Sequence, residues 1–171
     1  MDRTASWAQI FVDQFRAFGV EFLNYLPDYV GDQIVQIAER EGSFQIVRLA
    51  REEEGVGLVA GQHLGGRRGA LIVPTAGIGN SINAIASLGV PYAIPLPMII
   101  GRRGGLGEIN PTQTTLGRAL PKILESMGIL TIEIESADDL QSRVYGGLQS
   151  AFRCEEPVAF LVSFQLAGWK Q

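Results

Sequence analysis

Three consecutive carboxylates open the stretch Arg51-Glu52-Glu53-Glu54-Gly55-Val56-Gly57-Leu58-Val59-Ala60-Gly61, which then turns at once to small and apolar residues. At helical spacing Glu52 shares a face with Val56, Val59, Ala60 and His63. If that face turns inward, burial beside apolar groups raises the carboxyl pKa. A raised carboxyl suits proton donation and acceptance near neutral pH. The competing reading is electrostatic: acidic residues favour the first turn of a helix, where the macrodipole stabilises them. Glu53 and Glu54 fit that second role, and Glu52 is the candidate for chemistry.

Two other stretches could hold a ligand. Gly77-Ile78-Gly79-Asn80 follows an apolar run and precedes a helical pattern. Glycines there let backbone approach a flat or anionic group. The pattern completes neither the dinucleotide fingerprint nor a phosphate loop, and a tight strand-to-helix turn explains it equally well. Gly101-Arg102-Arg103-Gly104-Gly105 places two arginines after another apolar run. Such a pair could clamp a carboxylate, phosphonate or sulfonate, or could be a solvated loop. The one histidine, His63, reads as structural. Cys154 precedes Glu155-Glu156, a poor setting for a thiolate. Ser81 is not in a nucleophile-elbow pattern. With so few His and Cys, no metal site built by this chain alone is expected.

The elements that must position these residues alternate. A helix over residues 4–18, capped by Thr4 or Ser6, is followed by a strand over 20–26, a turn at Pro27 and a helix over 32–41. A buried strand over 44–49 leads into the helix carrying Glu52, which runs to about Leu64. Ala70-Leu71-Ile72-Val73 is the continuous apolar run of a central parallel strand. Residues 74–80 read as a turn before a helix over 80–88. A strand at 96–100 leads to a long glycine-rich, mobile loop over 101–113. Helix 116–127, strand 130–135, helix 138–152 and strand 158–164 complete the pattern. Strand and helix in alternation imply an α/β fold, a parallel β-sheet of about six strands with helices on both faces. Ligands in such folds bind at the carboxyl ends of the strands. That edge gathers Pro27-Asp28, Glu52, Thr75 to Asn80 and the loop from Gly101.

Composition narrows the class. With 171 residues and no linker-like segment, one domain over 1–171 is expected. A net charge of -4 with no basic run longer than two argues against nucleic acid as the partner. The N-terminus lacks the apolar core of a signal peptide, and no apolar run approaches a membrane span. A cytoplasmic location away from membranes is expected.

At Arg51 to Gly61, Gly77-Ile78-Gly79-Asn80-Ser81-Ile82-Asn83 and Arg103-Gly104, with a weaker element at Pro27-Asp28, the chain resembles the pyrimidine-binding domain of thiamine-diphosphate-dependent decarboxylases. It is most similar to the alpha subunits of sulfopyruvate decarboxylases, with phosphonopyruvate decarboxylases next. The likeness spans nearly the whole chain. In that superfamily the catalytic glutamate lies nine residues before a helical glycine, and counting back from Gly61 gives Glu52. The resemblance implies that Glu52 hydrogen-bonds N1′ of the cofactor's aminopyrimidine and so drives formation of the ylid, while Pro27, Thr75, Gly77 and Gly79 line the pyrimidine. It implies substrate contacts at Asp28, Arg102, Arg103 and Gln113.

The resemblance also implies a missing half. The family's diphosphate and Mg2+ site uses Gly-Asp-Gly and a later Asn; here Gly31-Asp32-Gln33 fails at its third position. A beta subunit carrying the diphosphate and Mg2+ domain is therefore expected, along with homo-association, and the isolated chain should be inactive. Val73-Pro74-Thr75-Ala76, Arg102-Arg103 and Asn24-Tyr25-Leu26 depart from the family's usual residues. They leave the small anionic 2-oxo acid substrate open, whether sulfopyruvate, phosphonopyruvate or another. Two alternatives stay in view: a carboligase or lyase subunit using the same cofactor, and a non-catalytic regulatory domain of the same fold.

Overall fold

The computed structural model describes residues 6–168. Its elements are α1 (Trp7–Ala17), β1 (Phe22–Tyr25), α2 (Tyr29–Glu41), β2 (Gln45–Arg48), α3 (Glu52–Leu64), β3 (Gly69–Pro74), α4 (Thr75–Ala84), β4 (Leu96–Arg102), α5 (Pro111–Ser126), β5 (Leu130–Ile134), α6 (Leu140–Arg153), β6 (Pro157–Ser163) and α7 (Phe164–Ala167). A π-helical turn, Ile85–Gly89, extends α4. All six strands are parallel, in the order β2-β1-β3-β4-β6-β5.

The two-residue period of a strand divides the core. Ala70, Ile72, Ile99, Phe160 and Val162 pack with α1, α2 and α6. Their neighbours Leu71, Val73, Met98, Ile100 and Leu161 pack with α3, α4 and α5. Central strands buried on both faces must be apolar at every position, which is why β3 and β4 read as unbroken runs. Strand β1 lies between β2 and β3, so the chain leaves β1 for the sheet's edge and returns on its other side. This reversal is a topological switch point, and in open α/β sheets ligands bind in the crevice at the carboxyl ends of the strands there, here β1 and β3.

Two features hold α3 in place. Gly55 lies where a Cβ would collide with Leu71, so the helix can approach β3 closely. Further along, fully buried Asn24 on β1 and Gln62 on α3 exchange hydrogen bonds of 2.9 and 3.0 Å. A second bond from Asn24 Nδ2 reaches the Ala70 carbonyl at 3.1 Å. A buried amide with its bonds satisfied fixes the register of the packed elements.

Four local expectations are corrected. The strand at 44–49 is not buried: β2 is an edge strand whose residues are half-buried or exposed. Helix α2 begins at Tyr29, because Asp28 caps it by accepting from Val30 N–H. Residues 75–80 are no turn: Pro74 ends the strand and α4 starts at Thr75. Strand β4 runs on to Arg102 and α5 starts at Pro111, capped by Asn110, so the loop shortens to 103–110. Ser6 caps α1, accepting from Gln9 N–H; Thr4, the other expected cap, lies outside the described residues. No helix among the described residues is long and apolar enough to cross a membrane.

Candidate active site

The three acidic residues at the start of α3 separate by their partners. Glu53 pairs with Arg51 at 3.1 Å. Glu54 turns back to accept from Ala50 N–H at 3.0 Å. Glu52 is half-buried, and no group among the described residues hydrogen-bonds its carboxyl. It lies instead against Gly77 in the first turn of α4. A Cβ on Gly77 would collide with Cγ, Cδ and Oε1 of Glu52. Gly77 is absent from the left-handed residues of the chain, so its lack of a side chain serves approach and not backbone freedom. Gly79 serves another contact: a Cβ there would sit 2.6 Å from Leu116 Cδ2 on α5.

Across the crevice, side chains stitch the strand ends together. Thr75 is fully buried, and its hydroxyl donates to the Gly101 carbonyl at 2.7 Å while accepting from Arg103 N–H at 3.2 Å. The Asp28 carboxylate presses on Gly101, where a Cβ would meet Oδ2. Burial pushes the Asp28 carboxyl above its ordinary value, against the bond from Val30 N–H and the attraction of Arg103. Pro27 is exposed beside it, and Gln113 is half-buried in the first turn of α5.

The two arginines diverge. Arg102 Nη1 reaches Glu133 at 2.7 Å and Glu135 at 2.9 Å, toward β5. Arg103 turns the other way and lies 4.9 Å over the ring of Phe164, which meets Tyr29 edge-on. Its Nε and Nη2 donate side-on to Glu108 at 2.7 and 2.8 Å. Glu108 also accepts from Gly104 N–H at 3.1 Å and Asn110 N–H at 2.8 Å. These bonds, led by Arg103, hold its carboxyl down at about 2. A loop expected to be mobile is thus closed on one carboxylate.

No family model matches the chain. It is 34% identical over 144 residues to the sulfopyruvate decarboxylase subunit alpha of Methanococcus maripaludis, covering 84% of this chain and 86% of the relative. The chain belongs to the sulfopyruvate decarboxylase alpha-subunit family. A sulfopyruvate decarboxylase of Methanosarcina acetivorans is 33% identical over 153 residues, covering 89% of this chain but 38% of that longer protein. Among solved structures, a 2-oxoglutarate:ferredoxin oxidoreductase from Magnetococcus marinus superposes with a TM-score of 0.66 at 15% identity. It matches 95% of this chain and 29% of its own, a likeness of fold alone.

Within this alpha-subunit family fold, the structure brings Glu52 and Gly77 into contact and gathers Asp28, Thr75 and Arg103 around Gly101. Gly79 and Arg102 face away from that group, toward α5 and β5. Sequence reasoning missed Glu108, Phe164 and Tyr29. The one available signal was a glutamate five residues after Arg103 in a loop with no regular spacing. Among the described residues no cluster of three or more His, Cys, Asp or Glu could hold a metal ion.

Proposed function

We propose that this chain is the pyrimidine-binding subunit of a two-chain, thiamine-diphosphate-dependent decarboxylase acting on a small anionic 2-oxo acid, sulfopyruvate in the first instance. The observation that carries the reading is the contact of Glu52 with Gly77. A carboxyl free of protein hydrogen bonds, held against bare backbone at the switch-point crevice, fits a flat aminopyrimidine that must offer it a ring nitrogen. When bound, thiamine diphosphate supplies the nucleophilic carbon and the electron sink for loss of CO2.

The chain's own task is to hold and orient. Glu52 keeps a proton at N1′ of the aminopyrimidine, while Gly77 gives the Glu52 side chain room beside α4 and exposed Pro27 flanks the ring. Asp28 and Arg103 are the polar groups that would contact the substrate beside it. Two features support a second chain. The diphosphate and Mg2+ pattern fails at Gln33, and the Methanosarcina relative is more than twice as long as the matched region. We assign the diphosphate half and its Mg2+ to that second chain.

The test is Glu52→Gln in the complex reconstituted with the diphosphate-binding chain. Decarboxylation should fall by at least about a hundredfold, as for loss of a proton-transfer residue, with the fold unchanged by circular dichroism. A near-wild-type rate would overturn the assignment.

A further inference from the structure

Glu108 is the most heavily bonded carboxylate at the site edge, and the reading above leaves it without a role. Its side chain is only 5% exposed, although its neighbours Gly105, Leu106, Gly107 and Ile109 are exposed. It takes both Nε and Nη2 of Arg103, a side-on fork that fixes the guanidinium's rotation within its plane. The Phe164 ring, 4.9 Å from the guanidinium carbon, restrains it from another side. The loop is then packed down. Gly104 adopts φ 75° where a Cβ would sit 2.7 Å from the Thr114 carbonyl oxygen, and Gly117 offers no side chain where Arg103's carbonyl lies. After these restraints one guanidinium nitrogen, Nη1, has no partner among the described residues. Asp28, at the switch-point crevice, is close enough to act on Arg103 electrostatically.

We propose that Glu108 is a positioning residue: it holds Arg103 in one orientation so that Nη1 donates to one oxygen of the second anionic group of the substrate, a sulfonate or phosphonate. This rests on the proposed decarboxylase reading. It changes how Arg103 discriminates. An arginine already neutralised by Glu108 offers little net charge, so it selects by a directed hydrogen bond and not by bulk attraction. A 2-oxo acid lacking the second anion has nothing to place there.

Glu108→Gln in the reconstituted complex tests this. KM for sulfopyruvate should rise about tenfold, the size of one charge-assisted hydrogen bond, with kcat within about threefold. KM for pyruvate and cofactor affinity should stay put, and Glu108→Asp should restore part of the loss. Equal effects on sulfopyruvate and pyruvate, or none, would overturn the proposal. A second measurement needs no activity. In the isolated chain the Arg103 side-chain NH resonances should shift on titration with sulfoacetate, and the shift should be lost in Glu108→Gln with Arg103 intact. If the complex decarboxylates nothing, the functional reading fails while this titration still decides the role of Glu108. Should Glu108→Gln fail to fold, Arg103→Lys takes its place: it keeps the charge and loses the fork. An unchanged preference for sulfopyruvate over pyruvate in Arg103→Lys would equally overturn the proposal.

Discussion

Asp28 carries three demands on one carboxylate. It caps α2, presses on Gly101 and faces Arg103. Its carboxyl is raised by burial, so the fold favours the protonated form. The stabilisation from protonation is complete below the unfolded value and is lost as pH rises through the raised folded value. Asp28→Asn keeps the cap, since Asn caps as well as Asp, and removes the ionisation. The variant should therefore melt a few degrees above wild type at neutral pH, with the two curves converging below about pH 4. Melting temperatures across a pH series check this; a variant less stable at neutral pH would show that the charge contributes and does not cost. At this scale the family resemblance singled out Glu52 among three carboxylates by its nine-residue distance to Gly61, and in the structure Glu52 is the one that lies against Gly77. Glu108 could not be paired with Arg103, because irregular backbone gives no rule for which side chains meet.

Helices α3 and α4 meet at Glu52 and Gly77, and that meeting is a property of the pair. Gly77→Ala puts a methyl into the Glu52 side chain. The obstacle is a half-buried, flexible side chain from its Cγ outward, which a change of rotamer can move, and Ala favours helix over Gly by about 1 kcal/mol. The protein should remain folded while the carboxyl is displaced. A shift of about 1 Å costs on the order of a hundredfold in turnover. Gly57→Ala on α3 is the control, since nothing lies within 4 Å of its added Cβ; it should leave turnover unchanged. Equal turnover in both variants would mean that the Glu52 position is not critical. The central strands were legible because burial on both faces forces unbroken apolar runs at 70–73 and 96–100. The start of α4 was not, because glycine signals a turn and a close contact with the same letter. Nor was the exposure of β2, which depends on where topology puts the strand and not on its residues.

Among the described residues the four most exposed large apolar side chains, Leu106, Leu64, Ile109 and Tyr92, divide by sheet edge. Leu106 and Ile109, 84% and 75% exposed, stand on the loop that Glu108 clamps beside the carboxyl ends of the strands. Leu64, Val90 and Tyr92 lie at the opposite edge, where α3 ends and β4 has yet to begin. On the proposed reading the site holds only the pyrimidine half of the cofactor, so the chain that completes it would approach the carboxyl edge. Burying two large aliphatic side chains there contributes about 1.5–3 kcal/mol each before ordering costs are met. The clamped loop lowers those costs, because Glu108 has already fixed the backbone that presents them. The double variant Leu106→Ser/Ile109→Ser should therefore weaken association with the diphosphate-binding chain by about a hundredfold or more, without changing the melting temperature of the isolated chain. Leu64→Ser/Tyr92→Ser, altered at the far edge, should leave that association intact. Sedimentation of each variant with the partner chain separates the two. Weaker association in the second pair alone would place the partner on the other edge and detach it from the cofactor site.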